Sequence, residues 1–386
     1  MKALSGLQKF SSAGGLFTIL REIDLGAVKQ EAERRFSLLL LGDAALTRPV
    51  AETLCTARGE ERAGYVHPWL TQAPLDTNEL DADLAILLVA APVSAEGSIA
   101  LAKPQHTTPT LSDAATQALT RLAQRGVPAV VIFLHAAEAA QEVPHKREAA
   151  RASLGAPSAP TWSDEVETVL VPTVLSALPT QHHLAFARHL PRFRGAVSQA
   201  LVEETSRANA IYAVSTGVAE IVPVLNIPLN VADMMVLTKN QLVMAYKIAL
   251  TSGKKGQPQE VLGEIIGVLG GSFFFRQVAR QLVGLIPVWG IVPKVAVAYA
   301  GTWAIGQSVQ LWAFKGKTPD QDDLRGFYEG ALTRGRTFAK RLMDRGDAPE
   351  LEADNEEQKK RRFRLPEFRR ISPKVKRELP PSEEDS

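Results

Sequence analysis

Residues 36–43, FSLLLLGD, contain the stretch that decides the fold. The four consecutive leucines, closed by a glycine, are typical of a short strand that is buried on both faces. Further strands of this kind are predicted at 84–90 (LAILLVA), 129–134 (AVVIFL) and 168–175 (TVLVPTVL). Strands buried on both faces belong to parallel sheets that are covered by helices, so we predict a doubly wound α/β domain over residues 34–180.

Helical patterns lie before and between these strands. Residues 25–36 combine helix formers with mixed charge, and 136–166 are rich in Ala, Glu and Pro, which indicates a surface insertion. Residues 111–125 carry apolar side chains at helical spacing, at Leu111, Ala115, Leu119 and Leu122. Gly126 is the expected stop signal of that helix.

Two domains and two flanking segments are predicted along the chain. A helical lead-in over 1–33 precedes the α/β domain, and an apolar all-α domain over 181–343 follows it. Within the all-α domain, residues 183–213 are expected to form one helix that is interrupted near Pro191. Residues 344–386 are densely charged with both signs and are predicted to be a disordered tail.

Composition limits the classes of function. Hydrophobic residues make up 45% of the chain and charged residues 22%, as in globular proteins. Cys55 is the only cysteine, which excludes an intramolecular disulfide and a cysteine-based metal cage. No cofactor and no metal are predicted. The first twenty residues lack a clear small-residue cleavage site, so the chain is expected to begin in the cytoplasm.

The turn after the first strand aligns with a phosphate-binding loop, G-x-x-x-x-G-K-[ST], in which backbone amides, a lysine and a magnesium-binding hydroxyl hold the phosphates. Residues 42–49 read GDAALTRP. Gly42 is retained, but Thr47 replaces the second glycine, Arg48 the lysine and Pro49 the hydroxyl. Pro49 would suit the first turn of a helix that binds some other anion at its N-terminus. A magnesium–nucleotide complex is not expected.

This arrangement resembles the Era-like and TrmE-like small GTPases over residues 34–180. In that family the phosphate loop, a D-x-x-G motif, an N-K-x-D base-reading motif and a final S-A motif follow successive strands. Here His135-Ala136-Ala137-Glu138 stands at the base-reading position, and Asp76-Thr77 is the remnant of D-x-x-G. Because three of four motifs are altered, the resemblance implies a P-loop fold without GTP hydrolysis. The nucleotide-site positions that it implies are Gly42, Arg48, Ser176 and Ala177.

The second half of the chain, over 185–316, is similar to a C-terminal domain of unknown function that is fused to such GTPases, and to the YcjF-type membrane proteins. The residues that carry this resemblance are Ile227, Pro228, Asp233, Gln241, Met244, Pro287 and Pro293. The resemblance implies an architecture and a membrane location, and it implies no reaction.

An apolar run within this region is long enough to span a bilayer. Residues 295–314 carry no charge, but Gly, Ala, Thr, Ser and Gln dilute the run. Trp289, Trp303 and Trp312 suit contact with lipid in an interfacial belt, or equally a packed core. A water-soluble helical core, a membrane-embedded hairpin and a surface buried by a partner therefore all remain open.

The tail contains a basic segment at 359–377 with ten Lys or Arg residues and one Glu. Its first four cations are predicted to contact anionic lipid: Lys359, Lys360, Arg361 and Arg362. Nucleic acid is the competing partner, and a solvated tail is the third alternative.

Three histidines, His182, His183 and His189, lie close together on a predicted helix. No carboxylate is spaced to complete a metal site, so a surface or interface cluster is expected, with His182 and His189 on a shared face.

The sequence favours a membrane-associated pseudo-GTPase that acts as a non-catalytic interaction or scaffold module. Its predicted place is the inner (cytoplasmic) membrane, with the domains facing the cytoplasm and a membrane or a membrane protein as partner. One alternative is an active GTP-binding protein with an atypical phosphate loop. The other is a soluble, cytoplasmic nucleic-acid-binding adaptor that uses the basic tail.

Overall fold

A parallel sheet forms the centre of the first part of the molecule. Its strands are β1 (Leu38–Leu41), β2 (Leu70–Ala73), β3 (Leu84–Ala90), β4 (Ala129–Leu134) and β5 (Arg151–Leu154). The strand order is β2-β1-β3-β4-β5, and each neighbouring pair is parallel. In sheets of this type, ligands bind beyond the carboxyl ends of the strands where the order reverses, which here is between β1 and β3.

The structure is a computed structural model that describes residues 23–58, 64–90, 111–135, 151–154, 157, 162–218, 231–268 and 291–344. These residues all lie in one compact unit that extends to Pro349. The basic tail and the greater part of the predicted lead-in lie outside the described residues.

Helices cover the sheet and then continue as a bundle. Helix α1 (Leu25–Ala32) precedes the sheet in the chain and packs on the bundle. Around the sheet lie α2 (Ala44–Cys55), α3 (Asp113–Gln124), α4 (Trp162–Glu165), α5 (Val171–Ala177) and α6 (His183–His189). A π-helix, Val166–Leu170, joins α4 to α5, and the 3₁₀ turns Thr180–His182 and Pro191–Phe193 flank α6. The bundle consists of α7 (Arg194–Val218), α8 (Val231–Thr251), α9 (Pro258–Val268), α10 (Ile291–Lys315) and α11 (Gln321–Asp344).

Alternating side chains of the strands enter two different cores, as the two-residue period of a strand requires. Leu40, Ile86 and Ile132 pack with α2 and with the helices from α4 to α6 on one face. Leu41 and Leu87 pack with α3 on the other face. The chain therefore has an α/β part with helices on both faces, followed by a helical region.

The bundle has its own core, and two glycines let α10 approach its neighbours closely. A Cβ at Gly306 would lie 2.5 Å from Val202 of α7, and one at Gly335 of α11 would lie 2.9 Å from the Cα and the carbonyl oxygen of Ala296 on α10. Helix α1 also contributes to this core, and the Glu31 carboxylate pairs with Lys247 of α8 at 3.0 Å.

Several of the predicted elements are confirmed. The strands at the leucine run, at 84–90 and at 129–134 are present, and so are the helix within 111–125 and the helix that is interrupted at Pro191. The predicted insertion at 136–166 is wrong in part, because β5 lies within it and pairs with β4.

The strand predicted at 168–175 is wrong, because this stretch is the end of the π-helix and the start of α5. A short buried apolar run has no polar face by which a strand can be told from a helix. Val166, Leu170 and Val174 are buried at helical spacing. Pro172, which lacks the N–H that an interior strand would donate, fits the first turn of α5.

Candidate functional site

The turn between β1 and α2 is the first candidate, since it holds the predicted nucleotide positions. Gly42 has a φ of +151°, and a Cβ there would lie 2.7 Å from the carbonyl oxygen of Leu88 on β3. The close approach of Leu88 on β3 is therefore enough to explain why residue 42 is a glycine. Asp43 is the N-cap of α2, and its carbonyl accepts the N–H groups of Leu46 and Thr47, each at 2.9 Å.

This turn is too short to form a phosphate cradle. Only Gly42 and Asp43 separate β1 from α2, so Ala44–Thr47, which align with the loop of the motif, are already helical. A cradle needs free backbone N–H groups that converge on one anion, and the N–H groups of Leu46 and Thr47 are bonded to Asp43. The Asp43 carboxylate also stands where the helix dipole would attract an anion.

Pro49 lies in the interior of α2, at its sixth residue, so its predicted place in a first turn is wrong. The helix begins earlier than the motif alignment implied, because it starts directly after Asp43. Proline has no N–H to donate to the carbonyl one turn before it. The carbonyl oxygen of Pro49 itself accepts a hydrogen bond from the Thr53 hydroxyl at 2.8 Å.

Arg48 and Thr47 do not face a common site. The side chain of Arg48 is 73% exposed and pairs with Glu52 one turn further along α2, with Nε 3.2 Å from Oε1. Thr47 is buried, and its hydroxyl donates to Oε1 of Gln72 at 3.1 Å, which ties α2 to β2. Neither side chain therefore does what the lysine or the glycine does in a phosphate loop.

Ser176 and Ala177 lie far from Gly42, so the structure does not bring the predicted nucleotide positions together. They end α5, and seven residues after Ser176 the ring of His183 contacts the carbonyl oxygens of Leu175 and Leu178 at 3.1 and 3.0 Å. The adjacent His182 pairs with Asp83, which directly precedes β3, so this region lies at the amino edge of the sheet. Gly42 lies at the carboxyl edge. The strand that was predicted to precede Ser176-Ala177 is a helix, so this pair does not follow a strand as the final motif of the family does.

Known proteins offer no match. Neither a family model, nor a curated protein, nor a solved structure is similar to this chain. The resemblances to small GTPases and to the YcjF-type proteins therefore remain predictions.

The other predicted motif remnants lie in ordinary structural surroundings. Arg121 donates to the carbonyl of Asp76 at 3.2 Å, which holds the loop after β2 against α3. His135 follows β4, and burial lowers its pKa. Residues 136–138 of the base-reading position lie outside the described residues.

The three predicted histidines do not form a surface cluster. His182 is buried, and desolvation lowers its pKa although Asp83 lies 3.7 Å away. His183 is held by carbonyl groups at the end of α5. His189 packs with its ring centroid 4.6 Å from that of Trp69 and 5.2 Å from that of His67. The prediction of a surface or interface cluster with His182 and His189 on a shared face is wrong, because these two rings contact different residues.

The aromatic cluster around His189 was missed by the sequence reasoning, and the signal for it was the run YVHPW at 65–69. Burial, followed by the nearby His67 and Arg188, lowers the pKa of His189 to about 4. At neutral pH this ring is therefore uncharged. Among the described residues, no group of three or more His, Cys, Asp or Glu side chains can hold a metal ion.

A cleft of about 420 Å³ lies over the paired strands β1 and β2, beside the loop 78–81. Its lining includes Ser37, Thr71, Glu79 and Arg125, and the Arg125 guanidinium is engaged with the carbonyl of Asn78 at 2.7 Å. The cleft lies by the amino ends of the strands, away from the crevice where doubly wound sheets bind ligands. Its charges are mixed, and nothing in it selects one class of ligand.

The bundle contains a buried amide and hydroxyl network. Asn209 of α7 donates to the Thr302 hydroxyl of α10 at 3.0 Å, Asn240 of α8 donates to Asn209 at 2.9 Å, and Gln241 donates to Thr302 at 3.1 Å. None of these groups titrates near neutral pH, so the network cannot perform acid–base chemistry. Its effect is to fix the register of three apolar helices.

Of the two alternatives for the tryptophans, the packed core is the one that Trp303 and Trp312 follow, since they are only 7% and 9% exposed. Arg334 lies over the ring of Trp303 and Lys254 over that of Trp312, at 4.6 and 4.5 Å from the ring centroids. Both rings are therefore part of the described core of the bundle. Among the described helices, none combines the length and the hydropathy needed to cross a bilayer. Trp289 and the basic residues 359–362 lie outside the described residues.

Proposed function

We propose that this chain is a membrane-associated, non-catalytic interaction module with a GTPase-like α/β part. The observation that carries the non-catalytic half of the proposal is the two-residue turn between β1 and α2. Phosphoryl transfer depends on a positioned lysine, a magnesium ion and backbone donors. At this turn the lysine position is an exposed arginine, and an aspartate caps the helix.

Nucleotide binding tests this half directly. The full chain is titrated with a fluorescent GTP analogue, once with magnesium and once with a chelator. We expect no saturable binding in either condition, because the backbone donors are used within α2. Saturable binding that requires magnesium and is lost in Gly42→Val would support the alternative of an active GTP-binding protein and would refute the proposal.

The membrane half is supported by charge and hydropathy along the chain. Residues 219–230 carry one charge, residues 281–290 carry none, and the tail holds the basic segment 359–377. Apolar segments beside cations are attracted to an anionic bilayer by two additive effects. With the helical core filled by its own side chains, attachment at the membrane surface fits better than a spanning hairpin.

Cell fractionation separates these modes of attachment. We expect the full-length protein in the membrane pellet, released by high salt when charge dominates and by alkaline carbonate when apolar segments also insert. Recovery in the soluble fraction from the start, with salt-sensitive binding to RNA, would favour the nucleic-acid adaptor instead.

A further inference from the structure

The C-terminal half of α11 presents an outward face with cations and no acid. Arg336, Lys340 and Arg341 are all exposed, and no Asp or Glu occurs between Glu329 and Asp344. The opposite side of the helix is buried in the bundle through Ala331, Gly335 and Ala339. We call Arg336, Lys340 and Arg341 the α11 basic face.

Contacts within the described bundle do not explain why these three residues are cations. Within the described residues, no carboxylate forms an ion pair with any of the three. A helix dipole favours cations only in the last turn, which covers Arg341 but not Arg336. By contrast, the neighbouring Arg334 has a structural partner, because its guanidinium lies over the ring of Trp303.

The α11 basic face lies at a particular end of the bundle. Asn209 pairs with Thr302 while Ser198 pairs with Gln310, so α7 and α10 are antiparallel, and the end of α7 meets the start of α10. Gly335 packs on Ala296, so the last turns of α11 reach the same end.

Two apolar parts of the chain connect to that end. The described part of α7 stops at residue 218, before the nearly uncharged residues 219–230, and α10 begins directly after the uncharged residues 281–290. The structure thus places the α11 basic face at the end of the bundle where the apolar connections begin.

We propose that the α11 basic face docks on the anionic headgroups of a lipid bilayer. This inference rests on the proposed membrane association and names the surface that makes the contact. Three cations within six residues of an exposed helix match a plane of negative headgroups. A site for single-stranded nucleic acid would instead call for exposed aromatic side chains that stack on bases. At this end of the bundle Tyr299 and Trp303 are buried, and Phe338 packs against the core.

The test uses the full chain and vesicles of two compositions, phosphatidylcholine alone and equal parts of phosphatidylcholine and phosphatidylglycerol. The docking variant is Arg336→Gln/Lys340→Gln/Arg341→Gln. The control variant, Lys255→Gln/Lys315→Gln/Arg325→Gln, removes the same number of exposed charges from the other end of the bundle. Since these are exposed positions, both variants are expected to fold, and their urea unfolding curves verify this.

We expect the wild type to bind the anionic vesicles and not the neutral ones. Each cation near an anionic surface is worth about fivefold in affinity, so the docking variant should bind about 100-fold more weakly. The control variant should remain close to the wild type.

Each of the other outcomes is distinct. Docking-variant affinity equal to that of the control would overturn the assignment to α11 while leaving membrane association intact. A variant with residues 359–362 changed to Gln would then locate the contact in the tail. Absence of wild-type binding to either vesicle would refute the membrane half of the proposed function as well. Loss of binding to polyuridylate in the docking variant, with vesicle binding unchanged, would show that the face binds nucleic acid.

Discussion

Replacing Gly335 by alanine tests the close contact between α10 and α11. The added Cβ would lie 2.9 Å from both the Cα and the carbonyl oxygen of Ala296, and 3.1 Å from the Cβ of Tyr299. Two of these three contacts are to backbone, which cannot rotate away, so the helices must separate. Overpacking of this kind costs about 1–3 kcal/mol, whereas Gly to Ala in a helix interior gains about 1 kcal/mol. We expect a net loss of about 1 kcal/mol.

Gly330 on the same helix supplies the matched control, because nothing lies within 4 Å of a Cβ built there. Gly330→Ala should raise the free energy of unfolding by about 0.5–1 kcal/mol through helix propensity alone. Urea unfolding followed by circular dichroism measures both variants, with equal slopes required for the comparison. If Gly335→Ala proves as stable as Gly330→Ala, the two helices do not pack at the described distance and the reasoning fails.

Two further predictions concern the sheet region. Arg192→Met should lower the free energy of unfolding by about 2–3 kcal/mol, because this buried guanidinium holds the carbonyl of Thr53 at 3.2 Å and Oε1 of Glu167 at 3.4 Å. Arg58→Met, which removes an exposed partner of the same glutamate, should leave stability near that of the wild type. The second prediction concerns pH: His189 has a pKa lowered from 6.5 to about 4, so the unfolded chain binds the extra proton and stability falls as pH drops from 6.5 to 4. The loss should be about 2 kcal/mol after allowance for solvent screening and should shrink in His189→Phe, whereas an unchanged pH slope in that variant would contradict the assignment.

The strands that sequence reasoning found were those with continuous apolar runs. The two that it missed, β2 and β5, are the outer strands of the described sheet, and their sequences LTQA and RASL contain no such run. An outer strand buries fewer side chains, so its hydropathy resembles that of a loop. The opposite error, at 168–175, arose because a buried helix can be as apolar as a buried strand.

At the turn between β1 and α2, the sequence predicted only which residues of a phosphate loop are missing. The sequence showed that Arg48 and Pro49 replace a lysine and a hydroxyl, and it could not show that α2 begins directly after Asp43. Gly42, which precedes that start by two residues, packs against Leu88, a residue that is remote in sequence. The packing of His189 depends in the same way on partners more than a hundred residues away, such as Trp69.

Helix α6 belongs to two cores at once. Phe186 is fully buried with the sheet, two residues after Leu184, which is buried in the bundle. Phe193, just beyond the helix, also packs with the sheet. A cut at residue 180, between the two predicted domains, would therefore strip one layer from the sheet and expose large apolar side chains on both fragments. The two regions are thus expected to melt cooperatively, as a single thermodynamic unit, although their sequences read as separate domains.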